Sequence, residues 1–176
     1  NFCVLTNGEH EGHRGVNRLV EQALGDRSMA RNQGLYLPGL AAGGVQLQDE
    51  FGHLTHPGVS NAEMSFLASV PERMNALMSA LLPSAMPDLA DQDLMAEIEQ
   101  AILDTEVSPT INLNSLFSRI PSDVNGQRAL QSMLEALMRQ LMEMAVAEGL
   151  HESFFLHVAP NLGRDSSGRE RLKPST

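Results

Sequence analysis

GQRALQSMLEALMRQLMEMAVAE, from Gly126 to Glu148, is the longest periodic segment of the chain, and its reading sets the expected fold. Leu130, Met133, Leu134, Leu137, Met138, Leu141, Met142, Ala145 and Val146 recur at the three- and four-residue spacing of a helix. That apolar set is too wide for one narrow stripe. The helix is therefore expected either to run through the core or to share a face with a partner. Gly149 can close it in the left-handed conformation, with Leu150 supplying the accompanying apolar contact.

Upstream, the same period recurs. Asp88 can cap a helix reaching to about Asp104, with Leu94, Ile98 and Ile102 inward and with Asp91 and Asp93 at its positive N-terminal end. Before it, Pro71 is expected to begin a segment whose stripe is Met74, Leu77, Met78, Leu81 and Leu82, and Pro83 to stop it. Ser60 and Glu63 have the spacing of a capping box, and Val59 can pack on Met64 as a hydrophobic staple. A short helical turn is expected around Leu116 and Phe117, and a helix over Val16 to Leu24 that Gly25 ends.

Elsewhere the pattern favours turns and short strands. Glycines recur from Gly34 to Gly58, and Val45 to Gln48 and His53 to Thr55 flank the turn-like Asp49-Glu50-Phe51-Gly52, which reads as a β-hairpin. Phe2 to Thr6 and Phe154 to Val158 are β-prone runs that could pair with each other. From Asn161 onward the composition is that of a flexible polar tail. The expected fold is mainly α: a single helical domain over residues 1–160 with a small β-hairpin and short terminal β-strands, then a tail over 161–176.

Composition excludes several functions. The chain has 176 residues and a formal net charge of -10, with no Lys or Arg between Met74 and Ser118, so nucleic acid and membrane surfaces are not expected partners of the body. One cysteine, Cys3, precludes an intramolecular disulfide and a Cys-rich zinc module, and it reads as a buried thiol within an apolar run. No apolar run reaches the roughly 18 residues of a membrane span. A chain that begins at Asn1 is expected to be a fragment or a processed product.

Lys173 is the only lysine beside eleven arginines, so the body offers no amine for a Schiff base or a nucleotide-binding GxxxxGK[ST] loop. Codon usage in a GC-rich bacterium explains this, and so does selection in a protein that works amid a ubiquitin system. The reading adopted is a helical protein-interaction module, lysine-poor and acidic, as the folded domain of a bacterial effector secreted into a host cell. There it would recruit a ubiquitin-conjugating enzyme without a catalytic thiol of its own; the other expected location is the bacterial cytoplasm. Met138, Leu141 and Met142 are the expected partner-binding residues, and no cofactor is expected.

The rival reading is an enzyme or metal-binding protein built on two His-x-x-His elements, His10 with His13 and His53 with His56. Four imidazoles could hold a tetrahedral metal if the two loops met. The first element is one residue short of HExxH, so a metalloprotease helix does not result. If the chain is an enzyme, this reading places a scaffold-type ubiquitin ligase ahead of a metal-dependent hydrolase. Asp91, Asp93, Glu97 and Glu99 read as the solvated face of a helix, and no GxGxxG, GxSxG or calcium-loop motif is present.

Overall fold

The computed structural model describes residues 3–12, 15–103, 106–119, 124–154, 156, 160–164 and 170–174. The described residues form two compact units, one of residues 1–68 and 104–109 and the other of residues 69–103 and 110–176.

The first unit is built on a four-stranded mixed sheet of very short strands: β1 (Val4–Leu5), β2 (Gly39–Ala41), β3 (Gln46–Gln48) and β4 (Leu54–Thr55), in that spatial order. β1 runs parallel to β2, and the remaining pairs are antiparallel. The parallel pair needs close approach at Gly39, whose φ is +154° and where a β-carbon would collide with the backbone of Val4. Helices α1 (Val16–Leu24) and α2 (Arg27–Asn32) lie in the connection between β1 and β2. That crossover is what makes a parallel neighbour of β1 possible.

The sheet inverts the usual sidedness. Along β3, Gln46 and Gln48 are buried while Leu47 is exposed, and across the register Leu5, Leu40 and Leu47 line up on the open face. Hydrogen bonds from unit-1 partners reach both buried glutamines, although Gln46 Nε2 has no partner among the described residues. Gln46 Oε1 accepts the backbone N–H of His10 at 3.1 Å, and Gln48 and Asn17 exchange reciprocal amide hydrogen bonds at 2.6 and 2.9 Å. A buried amide without such partners would cost about 1–3 kcal/mol, so these pairs make the inversion tolerable.

Helix α3 (Asn61–Ala85) begins with the expected capping box: Ser60 N–H donates to Glu63 Oε2 at 2.7 Å, and Glu63 N–H donates to Ser60 Oγ at 3.2 Å. Pro71 does not start a new segment, because α3 continues through both Pro71 and Pro83. The second unit contains most of α3, α4 (Asp91–Ala101), α5 (Asn114–Arg119) and α6 (Val124–Ala147), with a two-stranded pair of β5 (Ile102–Leu103) and β6 (Thr110–Ile111). Met74, Met78, Leu82, Ile98, Leu116, Leu130 and Leu137 are among its buried side chains. Met74 and Met78 are therefore core residues. The N-cap of α4 is Ala90, not Asp88. β7 (Pro160–Arg164) and β8 (Glu170–Pro174) pair antiparallel.

A mainly α fold with one small hairpin is thus incorrect: the described residues combine helices with a four-stranded mixed sheet and two further strand pairs. The physical reason is strand length. Two- and three-residue strands show too little alternation to register, and β2 is a Gly-Leu-Ala stretch of weak strand propensity. The hairpin over Gln46–Gln48 and Leu54–Thr55 does form, but β1 takes β2 as its partner. Of the second β-prone run, Phe155 and residues 157–159 lie outside the described residues, and Phe154 and Leu156 belong to no strand.

Candidate functional site

The densest concentration of polar chemistry among the described residues lies in the first unit, around the segment from Glu9 to Arg27. Glu9, His10 and Asn17 are almost completely buried, together with Gln46 and Gln48 of the sheet. Glu9 Oε1 accepts three successive backbone N–H groups, from Glu106 at 3.1 Å, Val107 at 2.7 Å and Ser108 at 2.8 Å. One carboxylate oxygen thereby fixes the loop of residues 106–108. The Glu106 carboxyl is pushed above the usual carboxylate range by burial and then by the charges of Glu9 and Glu11, with His56 opposing.

In front of this buried layer a cavity of about 380 Å³ opens, lined by Glu11, Gly12, Asn17, Arg18, Glu21 and Arg27. Asn17, Arg18 and Glu21 project from α1. Arg27 occupies the first position of α2, placed there by the Asp26 cap, whose Oδ1 accepts the Met29 N–H at 3.0 Å. Arg27 bridges two carboxylates, reaching Glu11 at 3.3 Å and Glu21 at 3.2 Å, and Arg31 lies 3.7 Å from Glu11. Glu11 holds the Arg27 guanidinium above its ordinary pKa, aided by Tyr36 and Glu21. Arg27 is cationic at any working pH.

Tyr36 joins the arrangement through Glu21. Its ring is buried, and its hydroxyl donates to Glu21 Oε1 at 2.8 Å. Burial raises the phenol above its ordinary pKa of 10, and the hydrogen bond to Glu21 adds to that. The first amides of α1 are already used within the protein, Asn17 N–H donating to His10 O and Arg18 N–H to Gly15 O. An anion in this cavity would therefore be held by arginine side chains.

The histidines singled out in the sequence are placed apart in role. His10 is fully buried, and its Nε2 lies 3.1 Å from Gly39 O, a contact that requires the proton on Nε2. His53 is exposed, with Nδ1 2.8 Å from Asp49 Oδ2 in the hairpin turn. His56 is half-buried, and its Nε2 has no partner. His13 lies outside the described residues. Among the described residues, no three His, Cys, Asp or Glu side chains gather so as to hold a metal ion.

Leu141 is buried within α6, and Met138 and Met142 are half-buried. Cys3 is exposed, not buried, because it precedes the first paired residue of β1. Of the charged cavity residues, Glu11 falls within the first His-x-x-His element, where the sequence offers it, with Glu9, as an outer partner of a metal, whereas no chemical motif marks Arg18, Glu21 or Arg27. One local signal was available: Asp26 ahead of Arg27 is a helix cap that places a cation directly after the end of α1.

The family model for glucosylglycerol-phosphate phosphatase matches residues 1–176. This chain belongs to that family. It is 48% identical over 172 residues to the glucosylglycerol-phosphate phosphatase of Synechocystis sp. strain PCC 6803, an alignment that covers 98% of this chain and 41% of that protein. The chain thus spans less than half the length of this curated relative. No solved structure matches.

Membership of the glucosylglycerol-phosphate phosphatase family overturns the reading of a secreted effector and of a ubiquitin ligase. Lysine scarcity describes composition, not a site, and it has an explanation in codon usage that carries no functional meaning. The enzyme reading was the better of the two, although the family's name points to phosphoryl chemistry. No helix among the described residues is long and apolar enough to cross a membrane.

Proposed function

We propose that this chain takes part in hydrolysis of a phosphorylated glycoside of the glucosylglycerol phosphate type, and that the cavity at α1 and α2 receives that substrate. The observation that carries this reading is the cavity's lining of two arginines, two glutamates and an asparagine around about 380 Å³. A phosphomonoester carries close to two negative charges at neutral pH, and a guanidinium matches its oxygens with a planar fork of donors. Glycosyl and glycerol hydroxyls are neutral donors. Carboxylates and an amide are suited to accept from them.

Phosphate entering the cavity competes with Glu11 and Glu21 for Arg27. The exchange is feasible because the Arg27 side chain is 59% exposed and its ion pairs are solvated, so each is worth well under about 1 kcal/mol. A substrate that supplies hydroxyls to the released carboxylates compensates both sides of the exchange. Inorganic phosphate alone does not.

Release of inorganic phosphate from glucosylglycerol phosphate, measured with the 176-residue chain and with Arg27→Ala, tests the reading. Release by the unaltered chain that falls at least about tenfold in the variant is the expected result, the loss of a charged hydrogen bond being worth that much. Undiminished release in Arg27→Ala contradicts it. Substrate binding without turnover by the unaltered chain would confine the chain's part in the reaction to substrate recognition.

A further inference from the structure

Resting on that reading of the cavity, we infer that Glu21 is the residue that recognises the glycosyl hydroxyls, and that Tyr36 is its positioning residue.

The geometry divides the two oxygens of the Glu21 carboxylate. Oε1 takes the Tyr36 hydroxyl at 2.8 Å and faces Arg27 Nε at 3.2 Å, whereas Oε2 has no partner among the described residues. The Glu21 side chain lines the cavity and is 27% exposed, so Oε2 is the oxygen left for a ligand while the Tyr36 hydroxyl keeps hold of Oε1. An unpartnered carboxylate oxygen repels a phosphate and attracts a neutral hydroxyl. It is therefore an acceptor for the sugar end of a glycosyl phosphate, while the anion competes for Arg27 with Glu11 and with Oε1 of Glu21.

Tyr36 fixes that acceptor because the tyrosine itself cannot move. It is 2% exposed, its backbone N–H donates to Glu50 O at 3.0 Å, and Gly52 packs directly against its ring. A carboxylate oriented by a rigid hydroxyl meets a ligand without losing its own side-chain freedom on binding, which is the usual advantage of preorganisation.

The test compares two ligands that share a phosphate and a glycerol moiety but differ in the sugar: glucosylglycerol phosphate and glycerol 3-phosphate. Binding of each is measured by calorimetry to the unaltered protein, Tyr36→Phe and Glu21→Gln. Removing the hydroxyl that orients Glu21 is expected to weaken glucosylglycerol phosphate about 5- to 10-fold and glycerol 3-phosphate less than about 2-fold, as for loss of one hydrogen bond. Glu21→Gln leaves the buried ring in place and is expected to discriminate in the same direction. The chain has one tyrosine and no tryptophan, so its ultraviolet emission belongs to Tyr36 alone. Glucosylglycerol phosphate is expected to change that emission in the unaltered protein and to change it less in Glu21→Gln. Equal weakening of both ligands, or of neither, overturns the assignment of Glu21 while leaving the cavity reading intact. Failure of the unaltered protein to bind either ligand overturns both.

Discussion

Glu9 and Val107 are joined by a 2.7 Å hydrogen bond in which the backbone N–H of Val107 donates to the buried Oε1 of Glu9, and the amides of Glu106 and Ser108 converge on the same oxygen. A carboxylate satisfying three amides holds a loop that otherwise has no regular structure of its own. Glu9→Ala is expected to remove about 3 kcal/mol of stability, because three donors lose a charged acceptor at once. Glu9→Gln, which keeps an acceptor but not the charge, should lose about half as much. Denaturant unfolding gives the magnitudes, and hydrogen exchange should accelerate first at Glu106, Val107 and Ser108.

Gly52 has a φ of +78°, and a β-carbon there would approach the Tyr36 ring to 2.7 Å. Gly52→Ala combines left-handed strain of about 1 kcal/mol with displacement of the ring, for a total of about 2 kcal/mol. Since Tyr36 carries the hydroxyl that reaches Glu21, the variant should also shift tyrosine emission. Melting that matches the unaltered protein, with unchanged emission, would show that the ring does not bear on Gly52.

How much of this was legible in the chain depends on how local each signal was. The Ser60 and Glu63 capping box, the helix over Val16–Leu24, and the turn Asp49 to Gly52 are decided by neighbours within four residues, and all three form. Gly149 likewise takes the left-handed conformation with φ +75°, and the Leu150 N–H closes on Ala145 O. Pro71 misled because its missing N–H forfeits one intrahelical bond without forcing an end when the helix is held by packing, and Met74 and Met78 beyond it are core.

The sheet and the cavity depend on long-range pairing. Gln46 and Gln48 face inward only because His10 and Asn17, about 30 residues earlier, supply their hydrogen bonds. A polar-in, leucine-out strand is the reverse of the pattern used to recognise strands. Arg27, Glu11 and Glu21 converge through the turn between α1 and α2, so no linear motif marks them as a group.

The hairpin turn should respond to acid. Asp49 Oδ1 accepts the N–H of Phe51 at 2.9 Å and of His53 at 2.8 Å, and the bond from the His53 backbone is the chief cause holding its carboxyl below the ordinary value of 3.8. Because the folded value is the lower one, the stabilisation is present above about pH 3.8 and is lost as the pH falls below that value. The amide resonances of Phe51 and His53 should move together in that window in the unaltered protein. In Asp49→Asn they should not.

Tyr36 gives the opposite sign. Its phenol titrates above the ordinary value of 10, first through burial and then through Glu21, so the stability it contributes is complete below pH 10 and is lost as the pH rises past it. Spectroscopic titration of this single tyrosine should show the raised value directly. Glu21→Gln should lower it only in part, since burial is the larger cause. A full return to 10 in that variant would mean that the ring is not buried in solution.

The most direct test of the central claim, that the cavity formed by α1 and Arg27 receives a glycosyl phosphate, is hydrogen exchange with and without glucosylglycerol phosphate. Protection concentrated at Glu11, Gly12, α1 and Arg27, and abolished in Arg27→Ala, is the predicted result. Protection by this ligand confined to other residues, with these amides unchanged, would contradict it.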